Sequence, residues 1–150
     1  MNSREAFVRC FREIHPKFSR LGARYLDEAE LTMAQYAILS TVVQGGTVPM
    51  TELSEKLFIS KPAVTHLVDR LESHKFLRRL PHPKDRRSSL IQVLPKGKAI
   101  VRDMQGKILK HLLTALKRFE GGELNTVLRF YDTLSQTLDK ALMNSRGLNP

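Results

Sequence analysis

A chain of 150 residues that is 41% hydrophobic can fill one ordinary core, and with 7% aromatics and no Trp that core must be mainly aliphatic. Lys and Arg outnumber Asp and Glu by 25 to 15, a formal net charge of +10, so the expected partner is a polyanion, either nucleic acid or an anionic membrane surface. No apolar run approaches the roughly 18 residues that span a bilayer, the start Met1-Asn2-Ser3-Arg4-Glu5 lacks the apolar stretch of a signal peptide, and the single Cys10 excludes an intrachain disulfide framework. The expected compartment is therefore the reduced cytoplasm, without membrane contact.

In chain order, Phe7, Cys10, Phe11, Ile14, Phe18, Leu21 and Tyr25 recur every three or four residues and predict a first helix over about residues 4–28, with Pro16 expected to kink it. The helix is long for a small domain, which suggests that another subunit covers part of its stripe. Thr32 and Gln35 have capping-box spacing and open a second helix that Gly45-Gly46 ends. Thr51 is expected to cap a short third helix containing Leu53 and Leu57. Ser60 is a good N-cap for a fourth helix reaching about Ser73, with Pro62 in its first turn. Val64, Leu67, Val68 and Leu71 line one side of it, and Pro62, His66, Asp69, Arg70 and Ser73 fall on the other. Two short helices with a tight turn and a polar face on the second predict a helix-turn-helix.

Leu77–Leu80 and Ser89–Leu94 predict two strands, joined by Pro81-His82-Pro83-Lys84-Asp85-Arg86-Arg87-Ser88, a stiff and charged hairpin tip. Pro95 then opens a long helix with apolar positions from Ile100 to Phe119, Gly121-Gly122 breaks it, and a last helix carries Leu124, Val127, Leu128, Tyr131, Leu134, Leu138 and Leu142. The tail from Asn144 is expected to fray. The charge follows this plan: residues 60–90 and 91–120 each carry net +5, whereas the other segments are close to neutral. A solubility charge has no reason to cluster in this way, but a duplex-binding surface does. A polar face opposite an apolar stripe is also what a merely solvated helix shows. The coincidence of that face with a basic hairpin tip and the clustered charge favours DNA.

These pieces, in this order and spacing, resemble the multiple antibiotic resistance regulator (MarR) family. The resemblance runs from about Leu31 to Gly97 and includes Leu31-Thr32-Met33-Ala34-Gln35-Tyr36, Leu53-Ser54-Glu55-Lys56-Leu57, the stretch Ser60-Lys61-Pro62-Ala63-Val64-Thr65-His66-Leu67-Val68-Asp69-Arg70-Leu71-Glu72 as recognition helix, and Pro83-Lys84-Asp85-Arg86-Arg87 as wing. It implies a mainly α, winged helix-turn-helix protein with a small β wing, one domain over 1–150, a DNA-binding core at about 31–97, and dimerisation helices at about 4–28 and 95–143. It also implies a homodimer on a near-palindromic operator in double-stranded DNA, acting as a repressor released by a small aromatic or phenolic effector. Three positions depart from the family's pattern: Lys75 replaces the usual Gly after the recognition helix, Leu94 the usual Thr before Pro95, and His66 a frequent Arg.

On this reading Ser60, Lys61 and Arg70 take phosphates, while Pro62, Thr65 and His66 face base edges. The resemblance assigns Arg87 to the minor groove, oriented by Asp85, with Lys84 and Arg86 on phosphates. It implies an effector cleft with Phe11, His15 and Tyr36 as candidate lining residues, and it raises oxidant sensing at Cys10, against which stands ordinary burial of a small apolar thiol. His15, His66, His74, His82 and His111 include no i, i+4 pair, so no metal is expected. No phosphate-binding glycine loop, nucleophile motif or carboxylate pair is visible, so neither catalysis nor a cofactor is expected. The alternative from another class is a winged-helix protein–protein adaptor without DNA recognition.

Overall fold

The computed structural model describes residues 2–85 and 88–144. Among them the order is α1 (Ser3–Glu28), α2 (Met33–Gly45), β1 (Thr47–Pro49), α3 (Met50–Leu57), α4 (Lys61–Ser73), β2 (Leu77–Pro81), β3 (Ser89–Val93), α5 (Pro95–Leu116) and α6 (Gly122–Asn144). The chain divides into two compact units, Met1–Ile108 and Leu109–Pro150.

The first unit holds the winged helix. Its sheet has the strand order β1-β3-β2, antiparallel throughout, with Val48 opposite Ile91 and Leu77 opposite Val93. Ile38, Leu39, Val42, Leu53, Val64, Val68, Leu71, Leu77 and Ile91 meet in a closed aliphatic core between the sheet and helices α2, α3 and α4. Gln35 is buried with them at 5% exposure, and the α2 cap satisfies it: its Oε1 accepts from the Thr32 N–H at 2.8 Å, and its own N–H donates to Thr32 Oγ1 at 3.2 Å. The expected capping box is thus present.

Several helix ends differ from expectation. Asn2 and Glu5 form a capping box that starts α1 at Ser3, and the helix runs on through Pro16 to Glu28. Thr51 does not cap α3: Pro49, the last residue of β1, holds the N-cap at φ −60° and ψ 141°, and the helix starts directly from the strand. That strand has three residues and contains a proline, too short for an alternating pattern to mark it. Phe119 lies beyond α5, which ends at Leu116. Helices α1 and α4 both stop in a Schellman turn with a non-glycine residue in the left-handed region. At α4, Lys75 (φ 58°) donates to Glu72 O at 2.9 Å and Phe76 to Leu71 O at 3.0 Å, which brings buried Phe76 against buried Leu71.

Most of α1 is exposed, including Phe7, Phe11, Ile14 and Phe18, which share one face. At its C-terminal end Lys107 Nζ lies 3.2 Å from Glu28 and 3.1 Å from Asp103 and sits over the Tyr25 ring, tying α1 to the middle of α5. The hydrogen bond from Lys107, helped by Arg24, holds the Glu28 carboxyl below its ordinary pKa, and the bonds to Asp103 and Glu28 hold the Lys107 ammonium above its own. The second unit contains the end of α5 and all of α6. There Leu128, Tyr131, Leu134, Leu138 and Leu142 form an exposed apolar row along α6.

Candidate nucleic-acid interface

Helices α3 and α4 meet through the turn Phe58-Ile59-Ser60. Phe58 adopts a left-handed conformation (φ 54°) that closes α3, and its N–H and that of Ile59 both reach Ser54 O. Ser60 then caps α4, its Oγ accepting from the Ala63 N–H at 3.4 Å. Pro62 carries no N–H and the Ala63 and Val64 amides are held by Ser60, so the Lys61 amide and ammonium, with the helix dipole, make the helix start a positive end suited to phosphate.

Val64, Val68 and Leu71 anchor α4 in the core, so its rotation about its own axis is set by burial. That rotation leaves Pro62, His66, Asp69, Arg70 and Ser73 exposed, as the spacing predicts, and Ser60, Lys61 and Thr65 are exposed beside them. Leu67 is only half-buried. The Thr65 hydroxyl donates to Lys61 O at 3.0 Å. Its proton is thereby engaged within the helix, and what Thr65 presents outward is a methyl group and oxygen lone pairs. Arg70 O receives the Ser73 hydroxyl at 2.7 Å and lies 2.7 Å from His74 Nδ1, which finishes the helix.

The wing is the β2–β3 hairpin, with Pro81 opposite Ser89. Lys84 and Asp85 are exposed at its tip. His82 organises this tip: its Nδ1 accepts from the backbone N–H of Asp85 at 3.0 Å and of Lys84 at 3.3 Å, and Ser88 N–H donates to Asp85 O at 3.1 Å. As the acceptor of both amides, Nδ1 carries no proton of its own in this arrangement. Arg86 and Arg87 lie outside the described residues, and so does the pairing expected between Asp85 and Arg87.

One charged residue packed against α4 escaped the sequence reading. Arg79 of β2 lies on the same strand face as buried Leu77, opposite Ile91. Its Nη2 is 2.5 Å from Asp69 Oδ1 and its Nη1 2.5 Å from Glu72 Oε2, while its backbone N–H donates to Glu72 Oε1 at 2.8 Å. Nη2 also reaches Thr65 O at 3.5 Å. Strand alternation alone places Arg79 inward, and an inward arginine calls for a carboxylate partner. That signal was available, but the choice of partner was not.

Of the other candidate residues, Phe11 and His15 are exposed on α1 with ring centroids 5.4 Å apart, and Tyr36 is half-buried against the winged-helix core. Cys10 is a free thiol and exposed, rather than buried as an apolar filler. Among the described residues no three His, Cys, Asp or Glu side chains gather at one point, and no helix is long and apolar enough to cross a membrane.

Residues 31–89 match the model of the MarR family. Over 87 residues the chain is 32% identical to the multiple antibiotic resistance protein MarR of Salmonella typhimurium, a match covering 58% of this chain and 60% of that relative's length. The structure of a MarR family protein from Bacillus stearothermophilus superposes with a TM-score of 0.77 at 26% identity, over 93% of this chain and 99% of the other. A mutant MarR of E. coli in complex with operator DNA superposes with a TM-score of 0.59 at 26% identity, over 89% and 96% of the two chains.

Proposed function

The chain belongs to the MarR family, and from that premise we propose that it is a DNA-binding transcriptional regulator that grips duplex DNA with α4 and the β2–β3 wing. The observation that carries this reading is the polar face of α4, turned outward by burial of Val64, Val68 and Leu71 and set beside the wing. The likeness to a relative complexed with operator DNA supports it. Within the contact, Lys61, Ser60, Arg70, Lys84 and Arg86 hold phosphates and set the register. Pro62, Thr65 and His66 face base edges, and Arg87 enters the minor groove. His66 can present either a donor or an acceptor to a base, a less committed reader than the arginine often found there.

The finer reading is a cytoplasmic homodimer that represses from a near-palindromic operator and is released by a small aromatic or phenolic effector. The exposed apolar rows of α1 and α6 support the dimer, because single soluble chains seldom leave such rows uncovered. Phe11, His15 and Tyr36 are the proposed effector contacts, and a thermal-shift series of phenolic acids that stays flat would remove that part. No catalytic role or cofactor belongs to this reading.

The deciding experiment is selection of bound duplexes from random DNA, followed by affinity measurements across a salt series. The expected outcome is a site with two-fold symmetry, and an affinity that falls steeply with salt as neutralised phosphates release counterions. A chain that retains no duplex even at low salt would leave the adaptor reading in its place.

A further inference from the structure

The recognition helix carries two carboxylates, Asp69 and Glu72, on a surface meant for a polyanion. Left alone they would repel phosphates and leave the outer turns of α4 tied to nothing polar. Both converge on Arg79, with Thr65 O as a third acceptor. Residues 65, 69 and 72 are spaced i, i+4 and i+7, so one guanidinium spans two turns along one stripe of α4. The Arg79 side chain is 26% exposed, and its strand is hydrogen-bonded to β3 along its length. The acceptor stripe begins at the backbone of Thr65, directly beneath the proposed base-facing Thr65 and His66.

We propose that Arg79 is the positioning residue of the DNA interface: a fork that fixes the setting of the recognition helix against the wing and offsets part of the charge that Asp69 and Glu72 turn toward phosphate. The inference rests on the reading of α4 as the DNA-facing helix. Arg79 itself contacts no base. Its planar fork matters as much as its charge, since a lysine ammonium cannot hold two carboxylates and a carbonyl at these directions.

The test uses the full chain and two duplexes: one selected by the parent from random DNA, and a shuffled duplex of the same composition. For Arg79→Ala and Arg79→Lys the ratio of the two affinities should fall about tenfold or more, the order of a mismatched base pair. Arg79→Lys keeps the charge, so a role as a simple phosphate contact would leave its ratio near the parent's. Asp69→Asn removes a negative charge, so it should tighten binding to the shuffled duplex yet lower the ratio severalfold, a split that loss of folded protein cannot produce. If Arg79→Ala fails to melt cooperatively, Arg79→Lys and Asp69→Asn decide. A parental ratio in Arg79→Lys, or an unchanged ratio in Asp69→Asn, overturns the inference while leaving the DNA reading intact. A parent that selects no duplex overturns both.

Discussion

Thr65 shows how a local bond narrows what a side chain can say. With its proton on Lys61 O, it offers a methyl group and lone pairs, which suit a thymine methyl or an exocyclic amine rather than a base acceptor. Arg87 takes its proposed role from motif and charge, and that role is separable from folding because none of the described wing-tip residues belongs to the core. Arg87→Ala is expected to weaken binding to the selected duplex by over tenfold, on the order of one lost minor-groove or bidentate contact, with the melting temperature nearly unchanged. Equal affinity at matched salt would take the wing out of the mechanism. Arg87, outside the described residues, was named from the motif and the charged turn alone; Thr65 was legible early as an exposed position flanking the polar face of α4, since helical spacing places it. Arg79 was not, because its partners are seven and ten positions away on another element and only packing brings them together.

At the scale of the elements, the junction after α4 sets where the wing starts. Lys75 stands in the left-handed region at φ 58°, where an L side chain costs roughly 1 kcal/mol. The Schellman bonds and the buried Leu71–Phe76 contact hold it there. Lys75→Gly removes that strain but adds unfolded-state freedom, so a net gain of about 0.5 kcal/mol is expected in denaturant unfolding. A loss of stability would mean the lysine side chain has a role of its own. Gly97, in the first turn of α5, is needed for the opposite reason. A Cβ there would lie 2.2 Å from Phe76 O and 2.8 Å from Val93 Cγ1, and that carbonyl already accepts from Leu94 N–H at 2.9 Å. Backbone cannot yield cheaply, so Gly97→Ala is expected to cost about 1–3 kcal/mol, as overpacking does; a melting temperature equal to the parent's would show that α5 moves freely against the wing's base.

For the molecule as a whole, light scattering is expected to give the mass of two chains of 17.1 kDa. Leu138→Asp, which puts a carboxylate into the exposed row of α6, should shift that mass toward one chain and weaken operator binding with it. A parent that scatters as a monomer at working concentration would remove the dimer. The helical elements, the hairpin and the location of the excess charge could all be read from the amino-acid order, because 3.6-residue and two-residue periodicities, caps and prolines act within a few neighbours along the chain. What needed the folded chain were contacts between residues far apart in sequence: the edge strand β1 laid against β3, the closeness of Gly97 to Phe76, the two backbone amides gathered by His82, and Arg79 joined to Asp69 and Glu72. Local pattern specifies which face of an element seeks burial. Which residue it then meets depends on how the elements close around a common core, and no short-range rule carries that information.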